Sequence, residues 1–247
     1  MFFLQLIGLT IIIYCIIEIA KMFHINQNIQ KICSQCEEQN YIEINKTLRK
    51  DIEKTPLINV EQLDTIAIVD AKTNFLDNVI SIGVSIVDSK TYTIKYAEYF
   101  IIPDELVVDG FNNDNIMLPH VYKTYYGCHK DIENHIRKLL NKYKITNIYT
   151  YNGIFIFKKL PGLKQYHWYD IIKVAAYKQY NYKLLDNLPF REDGRLLSKC
   201  SIKEIMQILT KTYFYYTDHA LYDTFDIARI MSLIGLPIEQ YSFSKIN

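Results

Sequence analysis

Between Ile66 and Asp88 two apolar runs, Ile66 to Val69 and Val79 to Val87, flank a polar break that contains Asn74, Asp77 and Asn78. β-Branched residues dominate both runs and suit a buried pleated surface, while asparagine and aspartate suit a chain reversal, so the stretch is expected as a β-hairpin. Asp70 falls at the end of the first run, where a carboxylate would face solvent or a metal. Thr91 to Ile102 supplies a third strand, stopped by Pro103. Asp131 to Tyr143 carries Ile132, Ile136, Leu139 and Leu140 on one helical face, with Asp131 as its expected N-cap. Ile145 to Tyr151 then reads as a strand. A helix that feeds the next strand of one sheet is βαβ logic, so an antiparallel start passes into a mixed α/β architecture. Further on, Ser201 with Glu204 at capping-box distance opens another helix.

The first stretch of the chain has a different pattern. Phe2 to Ala20 is nineteen residues with a single charge, Glu18. As a helix it would span roughly 28 Å, about the hydrocarbon thickness of a bilayer. No Lys or Arg precedes it and it runs into Lys21-Met22-Phe23-His24 rather than a small-residue cleavage site, so an uncleaved transmembrane anchor is expected. Lys21, Lys31, Lys46, Arg49 and Lys50 all follow the span, which by the positive-inside rule puts the globular part in the cytoplasm. Residues 21–60 read as a polar juxtamembrane helix and linker, and 61–247 as one globular domain.

Composition narrows the partners. Lys and Arg total 28 against 27 Asp and Glu, so there is no bulk basic signal and any nucleic-acid binding must be local. The 21 tyrosines and 12 phenylalanines could stack on bases, but a chain rich in lysine, isoleucine, asparagine and tyrosine also follows from coding bias. Five scattered cysteines argue against a disulfide framework. Cys33 and Cys36 form a lone C-x-x-C, short of ligands for a zinc site within one chain.

Three segments resemble a known family as a set. Val69-Asp70-Ala71-Lys72-Thr73 is similar to the first motif of the DnaQ-like 3′-to-5′ exonucleases, the DEDD branch of the ribonuclease H-like fold, with Lys72 at the glutamate position. Tyr151 to Ile156 resembles the second motif, with Asn152 and Phe155 matching and Ile156 at the aspartate position. Asp218 to Ala228 resembles the third, with Asp223 at the aspartate position and Asp218 where a histidine is expected. His219 is one residue late to be that general base, a rotation of about 100° on a helix, and Asp218 is expected instead to cap the helix that follows. Tyr166 to Tyr180, with Asp170, resembles the family's next helix. The resemblance runs from about Asp64 to Leu236 and implies a ribonuclease H-like α/β domain, a mixed sheet flanked by helices and preceded here by the anchor.

In that family four carboxylates hold two divalent cations that drive phosphodiester hydrolysis. Residue by residue this chain offers Asp70, Lys72, Ile156 and Asp223, a net charge of −1. Asp70 and Asp223 are the retained catalytic positions, with Asp218 a further carboxylate. No metal cofactor is expected, and Mg²⁺ or Mn²⁺ would use Asp70 and Asp223 if the chain were active. Lys72 follows Asp70 by two residues, on the same face of an extended strand, and is expected to stand in for a cation between Asp70 and Asp223; the alternative is a lysine turned to solvent. Nucleic-acid contacts would fall to Tyr151, Asn152, Phe155, Lys158 and Lys159, with Lys164 nearby. The functional expectation is a membrane-anchored exonuclease-fold protein without catalysis, acting by binding single-stranded nucleic acid or a protein partner. Its alternatives are an exonuclease with a reduced one-metal site and a purely structural tethered scaffold.

Overall fold

The computed structural model describes residues 65–106, 122–185 and 187–247. The expected anchor, the juxtamembrane segment and Cys33 and Cys36 lie outside them. Among the described residues no helix is long and apolar enough to cross a membrane.

The hairpin is β1 (Thr65–Thr73) paired antiparallel with β2 (Val79–Asp88). Its turn is built by Asn74, whose Oδ1 accepts from the backbone N–H groups of Leu76 and Asn78, each at 3.0 Å. Asp77 takes the positive φ of 67° that the reversal needs. Asn74 Nδ2 donates to the carbonyl of Glu105 in α1 (Pro103–Leu106), fixing the turn from the side. β3 (Ile94–Ile101) starts later than expected, because Asp88 Oδ1 accepts from the N–H groups of Lys90 and Thr91 and commits those residues to a turn. β4 (Lys123–Tyr126) lies parallel beside β3.

The helix α2 (His129–Lys142) begins two residues before Asp131. Cys128 occupies the N-cap position and Asp131 sits in the first turn, where it accepts from Cys128 Sγ at 3.0 Å and complements the helix dipole. β5 (Asn147–Thr150), α3 (Gly153–Lys159) and a 3₁₀ turn at Pro161–Leu163 follow. The stretch expected as one helix from Tyr166 to Tyr180 is instead β6 (His167–Asp170) and a single turn, α4 (Ile172–Ala175). Its period is two: Trp168 and Asp170 are buried while His167 is exposed. β6 pairs in parallel with β5 along its whole length, and Asp170 Oδ1 accepts from Ile172 N–H to turn the chain into α4. α5 (Ile202–Thr210) opens on the expected capping box of Ser201 and Glu204. α6 (Ala220–Ile234) is closed by Gly235 in the left-handed conformation.

The sheet order is β4-β3-β2-β1-β5-β6, and β2 alone runs against the other five among the described strands. Alternation along β1 divides the core. Ile66 and Ile68 pack with α4, α5 and α6, while Ala67, Val69 and Ala71 pack on the other face with α2 and α3. Asp70 and Lys72 continue the α6 face by the period of two. Gly83, the partner of Asp70 across the hairpin, has no room for a side chain: a Cβ would overlap the Ala220 carbonyl and lie 2.5 Å from Leu221 Cα. That close approach of backbone to backbone brings the first turn of α6, and Asp223 with it, against Asp70. One turn later, Thr224 and Ser85 share a buried hydrogen bond of 2.5 Å.

Candidate functional site

Lys72 gathers the cluster. Its Nζ is 3.4 Å from Asp70 Oδ2, 2.8 Å from Asp218 Oδ1, and in a short ion pair with Asp223 Oδ2. Asp70 and Asp223 are buried at 5% and 1% exposure, so the ammonium meets them out of bulk water. Tyr216 completes the arrangement. Its hydroxyl donates to Asp223 Oδ2 at 2.7 Å and lies 3.2 Å from Asp218 Oδ1. Nothing in the local pattern singles out Tyr216, one of four consecutive aromatics from Tyr213 to Tyr216.

Asp218 does not cap α6. His219 has the extended N-cap backbone, φ −122° and ψ 129°, and its Nδ1 accepts from Leu221 N–H at 3.1 Å. Asp218 is at φ 50°, outside the extended conformation an N-cap needs, and its carboxylate is turned to Lys72. His219 itself is buried against Tyr99 and Tyr222. Ile156 is 3% exposed and belongs to the apolar cluster of Val69 and Ala71, so it fills core on the α3 side and contributes no oxygen.

Three carboxylates converge on one ammonium, and the imbalance shows in their acidity. Burial raises Asp70, Lys72 pulls it back and Asp223 raises it again, leaving the carboxyl pushed up to about 7. Burial likewise raises Asp223 against the pull of Lys72. Asp226, one turn along α6, is pushed up to about 8 by burial and then by Asp223. Asp218 moves the other way: burial is the largest single influence and raises it, but the charge and hydrogen bond of Lys72, with the Tyr216 hydroxyl and His219, together hold this more exposed carboxylate below its ordinary value. Burial opposes the charge of Lys72 itself, yet Asp70 and Asp223 together hold its pKa above the ordinary value.

The two divalent cations of the exonuclease chemistry need several carboxylate oxygens that are free to coordinate. Here Lys72 Nζ already sits among the oxygens of Asp70, Asp218 and Asp223, and Ile156 supplies none. The residues present do not fit a metal pair. Among the described residues no group of three His, Cys, Asp or Glu side chains is arranged for a metal ion.

The residues expected to contact nucleic acid separate. Tyr151 is buried, with its hydroxyl donating to the Cys200 carbonyl at 2.6 Å, so it braces the core and offers no stacking face. Lys159 is tied to the hairpin turn by an ion pair with Asp77 and a 2.5 Å hydrogen bond to its carbonyl, and it also covers the half-buried Phe155 ring. Asn152 is exposed at a φ of 56°, and its carbonyl accepts from Phe155 N–H to start α3. Lys158 is exposed, and Lys164 lies over Phe157. Larger exposed apolar groups flank the cluster in sequence: Phe75 and Leu76 at the hairpin tip, Tyr213 and Tyr215 ahead of Asp218.

No protein-family model and no curated protein sequence matches the chain. Solved structures do. One described as 3′-end specific recognition of histone mRNA stem-loop by 3′-exonuclease aligns with 82% of this chain and 73% of its own, at 16% identity and a TM-score of 0.51. The nuclease domain of 3′hExo, a DEDDh family member bound to rAMP, aligns with 70% of this chain and 92% of its own, at 16% identity and a TM-score of 0.48. E. coli exonuclease I in complex with a 5cy-dT13 oligonucleotide aligns with 70% of this chain and 40% of its own, at 14% identity and a TM-score of 0.42. The sheet order together with the first of these likenesses shows the fold, that of the DnaQ-like exonucleases.

Proposed function

We propose that this is an exonuclease-fold protein that does not hydrolyse phosphodiesters by the two-metal route and acts by binding the end of a single-stranded nucleic acid. The observation that carries it is the Lys72 ammonium held among Asp70, Asp218 and Asp223. An internal cation offsets part of the repulsion that metal ions would otherwise relieve, and it leaves the fold's groove without its chemistry. The exposed Phe75, Tyr213 and Tyr215 favour stacking on unpaired bases over a wholly structural role. Labelled single-stranded DNA and RNA incubated with Mg²⁺ or Mn²⁺ should show no hydrolysis above background, while fluorescence anisotropy should detect saturable binding of the same strands. A one-metal exonuclease is the second reading, favoured by the convergence of three carboxylates. Hydrolysis that disappears in Asp70→Ala would establish it in place of the first.

Membrane attachment through Phe2 to Ala20, with the domain in the cytoplasm, belongs to the same proposal. Alkaline carbonate should leave the full-length chain in the membrane pellet. Its full release would remove the anchor from this account.

A further inference from the structure

At the opposite end of the sheet from Lys72 the surface has a cleft of about 550 Å³, of a size that holds small organic ligands. One wall is a single stripe of α2: Asn134, Arg137, Lys138 and Asn141, spaced three, four and seven residues from the first. The facing wall is the approach to β5 and β6, from which Gln165 and His167 project into the same space. Ile145 and Tyr166 lie between them, and the Tyr166 hydroxyl donates to Asn141 Oδ1 at 3.1 Å, holding that amide in place. Arg137 is likewise held, by a short hydrogen bond to Asn134 Oδ1.

The chemistry of this lining is one-sided. It contains two full cations, a histidine and three side-chain amides, and no carboxylate. Among the described residues no carboxylate pairs with Arg137 or Lys138, in contrast to Lys72 and Lys159, each of which has its acid. The partial negative charge at the C-terminal end of α2 opposes an anion here, and two whole positive charges exceed it. A guanidinium fork beside an ammonium matches a dianion with several acceptor oxygens better than a lone carboxylate, and the amides and imidazole add neutral hydrogen-bonding partners. We propose that this cleft binds a phosphate-bearing small ligand, with Arg137 and Lys138 meeting the phosphate and Asn141, Gln165 and His167 orienting the remainder.

The register separates this site from the acidic cluster. Ala67 of β1 stands opposite Ile148 of β5, which places Thr146 level with Thr65. Asp70 is five residues further along β1, roughly 17 Å at the usual rise of a strand. The proposal is therefore independent of whether the Lys72 cluster is catalytic, and each can fail without the other.

The test is calorimetric titration of the full-length protein in detergent at low salt with inorganic pyrophosphate, and separately with soluble dioctanoyl phosphatidylinositol phosphate and dioctanoyl phosphatidylcholine. Saturable binding of pyrophosphate is expected, weakened at least tenfold in Arg137→Gln/Lys138→Gln. Both side chains are exposed, so the variant should fold as the natural protein does, which its melting temperature would verify. Lys130→Gln/Lys199→Gln removes the same charge away from the cleft and should bind as the natural protein does. Tighter binding of the phosphoinositide than of pyrophosphate, with the same loss in the cleft variant and none of phosphatidylcholine, assigns the phosphate to a lipid headgroup and keeps the proposal. Absence of saturable binding of both pyrophosphate and phosphoinositide would overturn it, as would equal loss in the two double variants.

Discussion

Replacing Lys72 by methionine is expected to destabilise the domain by about 3 kcal/mol near pH 8, the lower end of the cost of removing one partner from a buried ion pair. Methionine keeps most of the aliphatic stem, so the loss reports the missing ammonium and the carboxylates it leaves facing one another. The lower end applies because the Asp218 side chain is 66% exposed and can turn to water, whereas Asp70 and Asp223 cannot. The effect should depend on pH in a definite direction. Asp70, pushed up to about 7 in the folded chain, binds its proton more tightly folded than unfolded. Its contribution is therefore favourable at low pH and is lost as pH rises from about 4 through about 7, and the raised Asp223 has the same sign. Asp218, held low by Lys72, works oppositely and only in the acid range. The raised pKa of Lys72 adds stability that persists until pH exceeds the ordinary lysine range. Urea denaturation should consequently find the natural protein more stable near pH 5 than near pH 8, with a steeper decline in Lys72→Met. A variant deficit that is larger near pH 5, or absent throughout, would show that the ammonium does not hold these carboxylates.

The contrast between what was legible in the sequence and what was not follows the range of the interactions. The hairpin and the Ser201–Glu204 capping box are local, set by residues a few positions apart, and both form as the sequence pattern requires. The position of Lys72 beside Asp70 was readable from strand periodicity, and the fold brings Asp223 to it from 151 residues away. β6 was hidden because four residues carry too little alternation to distinguish strand from helix. Part of its definition also comes from distant backbone, since Trp168 accepts from Ile246 N–H and donates to Asn247 Oδ1. His219 takes the cap expected of Asp218 because the chain enters α6 through a residue with positive φ, which no propensity for aspartate at a cap reveals. Tyr151 illustrates the limit of motif transfer. Its position after β5 matches the motif, but its ring belongs to the core and its hydroxyl to Cys200.

Reversing the charge at position 72 separates the internal-cation account from a merely structural salt bridge. Lys72→Glu would put four carboxylates where the chain now has three and an ammonium, and without metal it should be less stable than Lys72→Met, since a like charge is added as well as an opposite one lost. The same oxygens are the donor set a divalent cation requires. Mn²⁺ at about a hundred times its dissociation constant should then restore about 2.7 kcal/mol, because a ligand stabilises the folded state it binds. For a domain of this size that is a rise of roughly 5–10 °C in melting temperature. The natural protein should not shift, its site being filled by its own lysine. Adding Ile156→Asp is expected to lower stability further with or without Mn²⁺, because Ile156 is 3% exposed among Val69 and Ala71 and a carboxylate there is buried among apolar groups. Thermal melts of the three proteins across a Mn²⁺ series decide the matter. A Mn²⁺-dependent rise in the natural protein equal to that of Lys72→Glu would mean that Lys72 leaves the site readily, and the account of an internal cation in place of metal would fall.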